Sequence, residues 1–216
     1  MSRSLILVPT DYELAQLGPR FTSVVESVGD TVAICGFGPI ASGICTVRLL
    51  AKHSPHSVIL VGIAGALNPS AKIGTAEVFS NIGCYGIGAG GCSDFKTASE
   101  LGWNQWTEPE SGQTFDDTIR LNDTANETNT LDSMLLTVCA ASASPVDVID
   151  RLRKFPNAVA EDMEAFSVAM ACRMAGIPLT VIRGISNIAG DRNKANWHVA
   201  DALEAATELT IAKLLS

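Results

Sequence analysis

The sequence predicts an α/β domain built on a mostly parallel or mixed sheet. Short, unbroken apolar runs alternate along the chain with longer amphipathic segments, and such runs are typical of strands covered on both faces. The length of 216 residues suits one domain, which we place over residues 1–216. An apolar content of 47% is ample for a buried core and excludes a disordered chain.

Six apolar runs are expected to form strands. The third of them is expected to end in a glycine-rich turn over Gly62–Gly65. In sheets of this class, ligands bind at the carboxyl ends of the strands, so polar residues that follow these runs are candidates for a site. The predicted strands are Ser4–Val8, Thr31–Cys35, Val58–Gly62, Thr75–Phe79, Leu135–Ala140 and Leu179–Arg183.

Five amphipathic segments are expected to form helices. The first must kink or break at Gly18-Pro19, because proline cannot donate a helical hydrogen bond. The fourth is expected to end at Gly176, with Pro178 just beyond it. The predicted helices cover residues 11–27, 40–53, 145–154, 163–175 and 198–215.

A polar segment at about residues 84–130 interrupts this alternation. It is rich in Gly, Ser, Thr, Asn and Asp, yet it carries Tyr85, Phe95, Trp103, Trp106 and Phe115. So many aromatic residues are unusual in a disordered linker, and a long loop in a compact domain is commonly functional. We interpret the segment as a pocket wall or lid, with a surface excursion or a subunit contact as the alternative.

Charge, hydropathy and cysteine usage limit the partners and the compartment. The net charge of −8 disfavours nucleic acid and anionic membranes as partners, since both require clustered Lys and Arg. The longest apolar stretch, Val58–Leu67, is too short to span a bilayer. The N-terminus is typical of a first strand rather than a signal peptide. The six scattered cysteines indicate reduced thiols and a cytoplasmic protein.

Two familiar motifs fail on their context. Gly36-Phe-Gly38-Pro-Ile-Ala41 follows a strand and opens a helix, as in dinucleotide folds, but the window Pro55–Leu60 lacks the required acid. His53 and His56 are separated by Pro55, which breaks the helical spacing of a metal pair, so a solvated helix end is favoured. We therefore expect neither a nicotinamide cofactor nor a metal.

Three polar residues stand where strands should deliver them to a pocket. Glu13 follows the first strand, and Thr10-x-x-Glu13 also fits a capping box. Glu164 opens an apolar helix, where an acid either complements the helix N-terminus or grips a sugar diol. Asn187 follows the last buried strand, where an asparagine also suits a turn.

Together these motifs resemble the nucleoside phosphorylase/nucleosidase superfamily over the whole chain. That superfamily includes the methylthioadenosine/S-adenosylhomocysteine nucleosidases, and within it the sequence most resembles the futalosine hydrolases. The superfamily motifs are Glu13 after the first strand, Gly62–Leu67, Lys72–Val78, Asp162–Phe166 and Ile182–Asn187. The resemblance to futalosine hydrolases rests on Arg183–Trp197, and on Tyr85–Ala89 followed by Phe95 and Glu100–Trp103.

The resemblance implies a three-layer α/β/α sandwich around a mixed, partly closed sheet. It also implies a homo-oligomer that hydrolyses purine N-ribosides, with a neighbouring subunit closing the pocket. Glu13 corresponds to the water-activating carboxylate, Met163 and Glu164 to the ribose-binding pair, and Asn187 to the base-recognising position. Ala64 and Gly65 correspond to main chain that lines the base. Ala141 and Ser142 belong to a segment that flanks the base but lacks the phenylalanine that stacks on adenine in the methylthioadenosine enzymes.

Asn187 itself favours a particular base. Its NH₂ can donate to N7 or to a 6-oxygen, but it cannot protonate a leaving group, so it suits a 6-oxopurine such as hypoxanthine better than adenine. This agrees with futalosine, an inosine-like nucleoside with a carboxylated aromatic 5′ tail. The aromatic loop around Phe95 is expected to wrap that tail, with Lys96 and Arg192 as candidates for binding its carboxylate.

Water is favoured over phosphate as the nucleophile. A phosphorylase requires cations near the first strand end, but Pro9–Leu17 holds none, and Arg20 and Arg48 are the possible substitutes. We therefore expect hydrolysis of futalosine to hypoxanthine and dehypoxanthine futalosine. The alternatives are a methylthioadenosine/S-adenosylhomocysteine nucleosidase, a purine nucleoside phosphorylase and a non-catalytic nucleoside-binding protein. A nicotinamide-dependent dehydrogenase is disfavoured.

Overall fold

The computed structural model describes residues 3–121 and 133–215. The strands of this part, in chain order, are β1 (Ser4–Val8), β2 (Thr31–Ile34), β3 (Ser57–Ala66), β4 (Ala76–Phe79), β5 (Asn81–Tyr85), β6 (Gly88–Ala89), β7 (Lys96–Thr97), β8 (Trp106–Thr107), β9 (Thr114–Phe115), β10 (Thr118–Arg120), β11 (Met134–Val138), β12 (Ala158–Asp162) and β13 (Leu179–Ile188). The α-helices are α1 (Asp11–Ser27), α2 (Gly38–His53), α3 (Pro145–Lys154), α4 (Ala165–Met174) and α5 (Val199–Leu214).

The long strand β3 organises the main sheet. Along one edge it pairs first with β1, in parallel, and then with β12, antiparallel. Its other edge pairs in parallel with β13, which in turn pairs antiparallel with β4. The path on the first edge runs β10-β5-β11-β12-β3-β1-β2. Because β3 has three partners, the sheet branches, and its parallel and antiparallel pairs confirm the predicted mixed sheet.

Helices cover both faces of this sheet. Leu5 and Leu7 of β1 belong to a core shared with α2 and α4, whereas Ile6 and Val8 belong to a core shared with α1 and α5. This alternation follows from the two-residue period of a strand, and it explains why the strand sequences are apolar throughout. The three-layer sandwich is therefore confirmed.

Two strands run further than the sequence predicts. The turn expected over Gly62–Gly65 is wrong, because β3 continues through these glycines to Ala66. The last strand continues from Arg183 to Ile188, with a bulge between Ile185 and Asn187. Asn187 therefore lies within a strand rather than in a turn. Among the predicted helices, α1 kinks at Gly18 (φ 79°, ψ 173°) as expected.

The segment that interrupts the alternation folds into two small hairpins. β6 pairs with β7 and β8 pairs with β9. Phe115 is buried in the core with α4, and the Trp106 ring packs on it with centroids 5.4 Å apart. Residues 122–130 of the predicted loop lie outside the described residues. No helix of the described chain is long and apolar enough to cross a membrane.

Candidate active site

A cavity of about 350 Å³ opens at the carboxyl ends of β1, β3, β12 and β13. Ligands bind at this edge in open α/β sheets. The structure brings eight of the nine predicted site residues to this one cavity, and these are Glu13, Ala64, Gly65, Ala141, Ser142, Met163, Glu164 and Asn187.

Glu13 is held by donors from two elements. Its Oε2 accepts from the Thr10 hydroxyl at 2.7 Å, and its Oε1 accepts from the Ile63 amide of β3 at 3.1 Å. Thr10 also caps α1 by accepting from the Glu13 amide at 3.2 Å. The helix cap is therefore real, but the Glu13 carboxylate reaches β3 instead of closing a capping box.

Glu164 lies at the start of α4 and points back to the cavity. Its Oε1 accepts from the Gly38 amide at 3.0 Å, and its Oε2 accepts from Arg183 Nη2 at 3.3 Å. Burial raises the pKa of Glu164 to about 7; Arg183 opposes this shift and the Asp162 charge adds to it. The glycine turn at Gly36–Gly38, which resembles a dinucleotide motif in sequence, thus supplies a backbone donor to an acid.

Arg183 is fully buried among acidic side chains. Its Nη2 donates to Asp162 at 2.6 Å, and its Nε donates to the same carboxylate oxygen at 3.1 Å. The Asp162 and Glu164 charges raise the pKa of Arg183 despite its burial, so the guanidinium remains charged. Among the described residues its Nη1 has no hydrogen-bond partner, which leaves one buried donor available.

Gly62 makes room for this arrangement. A Cβ at Gly62 would lie 2.2 Å from Arg183 Nη1 and 2.7 Å from Glu13 Oε1. Both distances are far inside van der Waals contact, so any side chain here would displace the arginine or the glutamate. Gly62, which the sequence suggests as part of a turn, therefore leaves room for the side chains of Arg183 and Glu13.

Asn187 presents its amide in one orientation. Its Nδ2 donates to the Ile188 carbonyl at 2.9 Å, and its Oδ1 lies 2.8 Å from the Ser186 hydroxyl, which donates to it. Because a carbonyl only accepts, the atom beside Ile188 must be the amide nitrogen. The second N–H of Asn187 is then free for a ligand in the cavity.

Another buried acid, Glu161, lines the same cavity as Asn187. It accepts from the Ser142 amide and hydroxyl, both at 2.7 Å, and from Arg151 Nη1 at 2.8 Å. Arg151 also donates to the Ala140 carbonyl at 2.6 Å. Burial raises the pKa of Glu161, while Arg151 and Ser142 oppose the shift. Ser142 therefore lines the cavity with its polar atoms committed to Glu161.

The loop after β13 supplies cationic and aromatic groups to the cavity. Arg192, Lys194 and Trp197 all line it, and the Arg192 guanidinium lies 5.1 Å from the centre of the Trp197 ring. Of the two cations suggested by the sequence for an anionic tail, the structure brings Arg192 to the cavity. Lys96 lies on β7 and does not line it.

Phe95 is the predicted site residue that the structure does not bring to the cavity. Its ring is 4% exposed and packs on Tyr85 with centroids 4.6 Å apart. None of the described residues of 84–121 lines the cavity. Four of the five aromatic rings instead pack in pairs, Tyr85 on Phe95 and Trp106 on Phe115, whereas Trp103 is 73% exposed.

Sequence reasoning gave no site role to Glu161, Asp162, Lys194 and Trp197, which line the cavity, or to Arg183, which is fully buried and pairs with Asp162. One signal was available, since an arginine within an apolar strand must be paired when buried. Asp162 follows from the same logic as its partner. Nothing in the sequence shows that Glu161 reaches Ser142, because that contact joins β12 to a separate segment.

The acids of this site do not form a metal site. Among residues 3–121 and 133–215, no three His, Cys, Asp or Glu side chains are grouped to hold a metal ion. Chemically, the cavity offers the hydrogen-bonded carboxylate of Glu13, the carboxylate of Glu164 with its raised pKa, the side-chain amide of Asn187 and the carboxylate of Glu161.

A branched mixed sheet between helical layers, with an acidic cavity at its strand ends, is the architecture of phosphorylase-like α/β proteins. The family model of the phosphorylase superfamily matches residues 15–215. The chain therefore belongs to the phosphorylase superfamily.

Two relatives show how the chain compares with named members. It is 28% identical to a futalosine hydrolase of Streptomyces coelicolor over 151 residues, which cover 70% of this chain and 62% of that protein. It is 24% identical to a 5′-methylthioadenosine/S-adenosylhomocysteine nucleosidase of Tolumonas auensis over 188 residues, covering 84% and 77%. The chain thus spans less than two thirds of the futalosine hydrolase.

Solved structures share the fold at low identity. A 5′-methylthioadenosine/S-adenosylhomocysteine nucleosidase of Colwellia psychrerythraea in complex with adenine superposes with a TM-score of 0.75 at 18% identity, over 99% of this chain and 94% of that one. Futalosine hydrolase of Helicobacter pylori superposes with a TM-score of 0.69 at 18% identity, over 98% and 97%. At this identity the likeness establishes the fold.

Proposed function

We propose that this protein hydrolyses the N-glycosidic bond of a 6-oxopurine ribonucleoside, namely futalosine, and releases hypoxanthine. The observation that carries the proposal is the convergence of Glu13, Glu164 and Asn187 on one cavity. They come from three separate elements, α1, the start of α4 and β13. Residues with merely local capping roles would have no reason to share a cavity.

Glu13 is the general base in this proposal. Water attacks C1′ of the ribose, the bond from C1′ to the purine nitrogen breaks, and its electron pair leaves with the base. The proton of the water passes to Glu13, whose position is fixed by Thr10 and Ile63. General-base help of this kind contributes about 10²–10⁴-fold. Arg183 does not line the cavity, so it acts on this site only through the acids it pairs with, Asp162 and Glu164.

Glu164 is the ribose ligand. Positive charge develops on the sugar in the transition state, as in glycoside hydrolysis. A carboxylate bound to the 2′ and 3′ hydroxyls gains strength as that charge grows, which lowers the barrier rather than only tightening substrate binding. Met163, the preceding residue, lines the cavity beside it.

Asn187 is the group that receives the leaving base. Its free amide N–H can donate to N7 or O6 of hypoxanthine and so stabilise the negative charge left on the base. The leaving purine takes its proton from solvent, because an amide has none to give. A 6-amino group would place a donor against this donor, at a cost of about 1–3 kcal/mol.

Hydrolysis is favoured over phosphorolysis by the placement of the cations. Arg20 pairs with Glu208 on the surface, and Arg48 is exposed on α2. Neither lines the cavity. Arg192 and Lys194 lie on the loop after β13, where they support recognition of the carboxylated 5′ tail of futalosine.

A methylthioadenosine/S-adenosylhomocysteine nucleosidase is the second candidate. The relative of that name aligns over 77% of its length, against 62% for the futalosine hydrolase. What weighs against it is the amide at Asn187, where adenine release calls for a group that can protonate N7. A purine nucleoside phosphorylase is disfavoured because Arg20 and Arg48 do not line the cavity. A non-catalytic binding protein is disfavoured because Glu13 and Glu164 are both present at the cavity.

The cellular location and the oligomeric state of the protein are also proposals. The six cysteines are unpaired thiols, which supports a reducing, cytoplasmic location. A homo-oligomer is supported by an exposed apolar face on α2, formed by Phe37, Ile40, Ile44 and Val47.

The test is to incubate the purified protein with futalosine, inosine, methylthioadenosine and adenosine, with and without inorganic phosphate, and to identify the free base by chromatography. We expect hypoxanthine from futalosine in phosphate-free buffer. Activity that appears only with phosphate would overturn hydrolysis. Turnover of none of the four nucleosides would overturn the enzymatic assignment.

A further inference from the structure

We propose that Glu161 accepts a hydrogen bond from N1–H of the purine and thereby selects a 6-oxopurine over a 6-aminopurine. This inference rests on the proposed function, since it concerns the base that the cavity takes. It adds a second specificity residue to Asn187, on the opposite side of the base.

The strand register places the two residues as a pair. Gly65 of β3 is the partner of Glu161 in β12 and of Asn187 in β13. The three residues therefore stand side by side across three strands, and all three line the cavity. Two strand spacings separate Glu161 and Asn187 by about 10 Å between Cα atoms. Gly65 has no side chain, and a Cβ there would already contact Asn187 Nδ2 at 3.5 Å, so the glycine keeps this part of the cavity wall flat for a ring to lie against.

The geometry of a purine fits this spacing. In a 6-oxopurine, O6 lies between the N7 acceptor and the N1–H donor. A base that turns N7 and O6 toward Asn187 consequently turns N1–H toward the Glu161 side of the cavity. In a 6-aminopurine, N1 carries a lone pair instead of a hydrogen.

The contacts of Glu161 fix it as an acceptor. All three of its hydrogen bonds come from donors, namely the Ser142 amide, the Ser142 hydroxyl and Arg151. Oε1 accepts only one of the three, so it retains a lone pair for a further donor. The side chain is 5% exposed and salt-bridged to Arg151 at 2.8 Å, so it cannot swing away from the cavity wall freely. A carboxylate held in this way attracts N1–H and repels the N1 lone pair.

A purely structural role makes a different prediction. If the ion pair with Arg151 only anchors Ala140–Ser142, then weakening it should impair the binding of every base equally. The discriminating quantity is therefore the ratio of affinities between bases, and not the loss of binding or activity itself.

The experiment measures binding of free hypoxanthine, 1-methylhypoxanthine and adenine by calorimetry, to the wild type, Glu161→Gln and the control Glu100→Gln. In the wild type we expect hypoxanthine to bind at least about tenfold more tightly than either other base. 1-Methylhypoxanthine retains O6 and N7 but has no N1 donor. Glu161→Gln should weaken hypoxanthine by about 10- to 100-fold while adenine is unchanged or improved. Glu100→Gln removes the charge of a carboxylate that pairs with Lys154 at the surface, outside the cavity, and should preserve the preference.

Three results would overturn the proposal. These are equal binding of hypoxanthine and 1-methylhypoxanthine by the wild type, an equal loss for both bases in Glu161→Gln, or no binding of hypoxanthine at all. The first comparison needs no variant, so it stands even if Glu161→Gln fails to fold. Base release from futalosine is measured in parallel; a wild type that prefers hypoxanthine but releases no base would reject the hydrolase and retain the role of Glu161.

Discussion

The guanidinium of Arg183 pairs with two of the acids at this cavity, Asp162 and Glu164. Arg183 bonds Asp162 twice and Glu164 once, and its free Nη1 faces the space beside Gly62 and Glu13. Burial raises the pKa of Glu164 to about 7, and Arg183, which is 3.3 Å from Glu164 but 2.6 Å from Asp162, only partly opposes this shift.

The pH dependence of activity should follow from Glu164. Only its ionised form can accept hydrogen bonds from both ribose hydroxyls, so we expect kcat/KM to rise as the pH rises through about 7. The measurement is a pH profile for futalosine with free hypoxanthine as readout. A profile that is flat across that range would contradict this role.

Glu164 should leave a second signature in stability. Its folded pKa lies above the ordinary value of 4.5, so its contribution to stability is present at low pH and is lost as the pH rises through about 7. Glu164→Gln cannot ionise, and its free energy of unfolding should therefore fall less than that of the wild type between about pH 5 and about pH 8. Urea denaturation at both pH values measures this difference, and equal falls in both proteins would count against it.

Glu13→Gln tests the general base. Glutamine retains the size of the side chain and can keep both hydrogen bonds, to Thr10 and Ile63, but it cannot take a proton from water. We expect kcat to fall by about 10²–10⁴-fold, with the melting temperature little changed. Wild-type turnover in this variant would leave the reaction without its base.

Asp162 joins four elements of the fold at the base of the cavity. From the end of β12 it accepts from Thr137 of β11 at 2.6 Å, from the Ala165 amide of α4 at 2.9 Å, and from Arg183 of β13. The side chain thus ties α4 to the sheet and fixes the helix start from which Glu164 projects. The site and the packing of α4 depend on the same carboxylate.

Asp162→Ala should be severely destabilising. It leaves the Arg183 charge buried with its main partner removed, which costs about 3–5 kcal/mol. The matched control is Asp147→Ala, which removes an acid from the capping box of α3 and should cost about 0.5–2 kcal/mol. Urea denaturation of both variants gives the comparison. Equal losses would mean that the Arg183 ion pair contributes no more than a helix cap.

An exposed apolar face on the surface of the molecule adjoins the cavity. Phe37, Ile40, Ile44 and Val47 follow one side of α2 at helical spacing and are 56–78% exposed. Phe37 also lines the cavity, as does the exposed Tyr12. Exposed apolar surface of this kind marks interaction sites. Its continuity with the cavity supports a second copy of the chain as the partner that closes the pocket.

Ile44→Glu should therefore dissociate the oligomer. A charge on this face would be buried without a partner in the assembly, whereas Ile149→Glu, at a similarly exposed position on α3, should not affect association. Sedimentation velocity of the two variants and the wild type measures the oligomeric state. A monomeric wild type would contradict the proposed interface.

The sequence predicts this fold well where the pattern is periodic. β1, α1 and α3 lie where the sequence predicts them, because apolar alternation and caps are local signals. The lengths of β3 and β13 were not predictable, since Gly62 looks like a turn until Arg183 is known to fill the space above it.

The same limit applies to the site. The placement of Glu13 and Asn187 at the cavity could be predicted because each follows a recognisable strand, and that of Glu164 because it opens an apolar helix. The placement of Phe95 in the core and of Glu161 at the cavity could not be predicted, since it depends on packing between segments distant in sequence.

A competition assay between two nucleosides tests whether this cavity takes a 6-oxopurine. Futalosine and methylthioadenosine are mixed at equal concentration with the wild type, and free hypoxanthine and adenine are quantified during the initial rate. Hypoxanthine should predominate, because Asn187 donates to a 6-oxygen and cannot protonate N7, and Asn187→Asp should shift the ratio toward adenine. Adenine release equal to or greater than hypoxanthine release by the wild type would contradict the proposed preference for a 6-oxopurine.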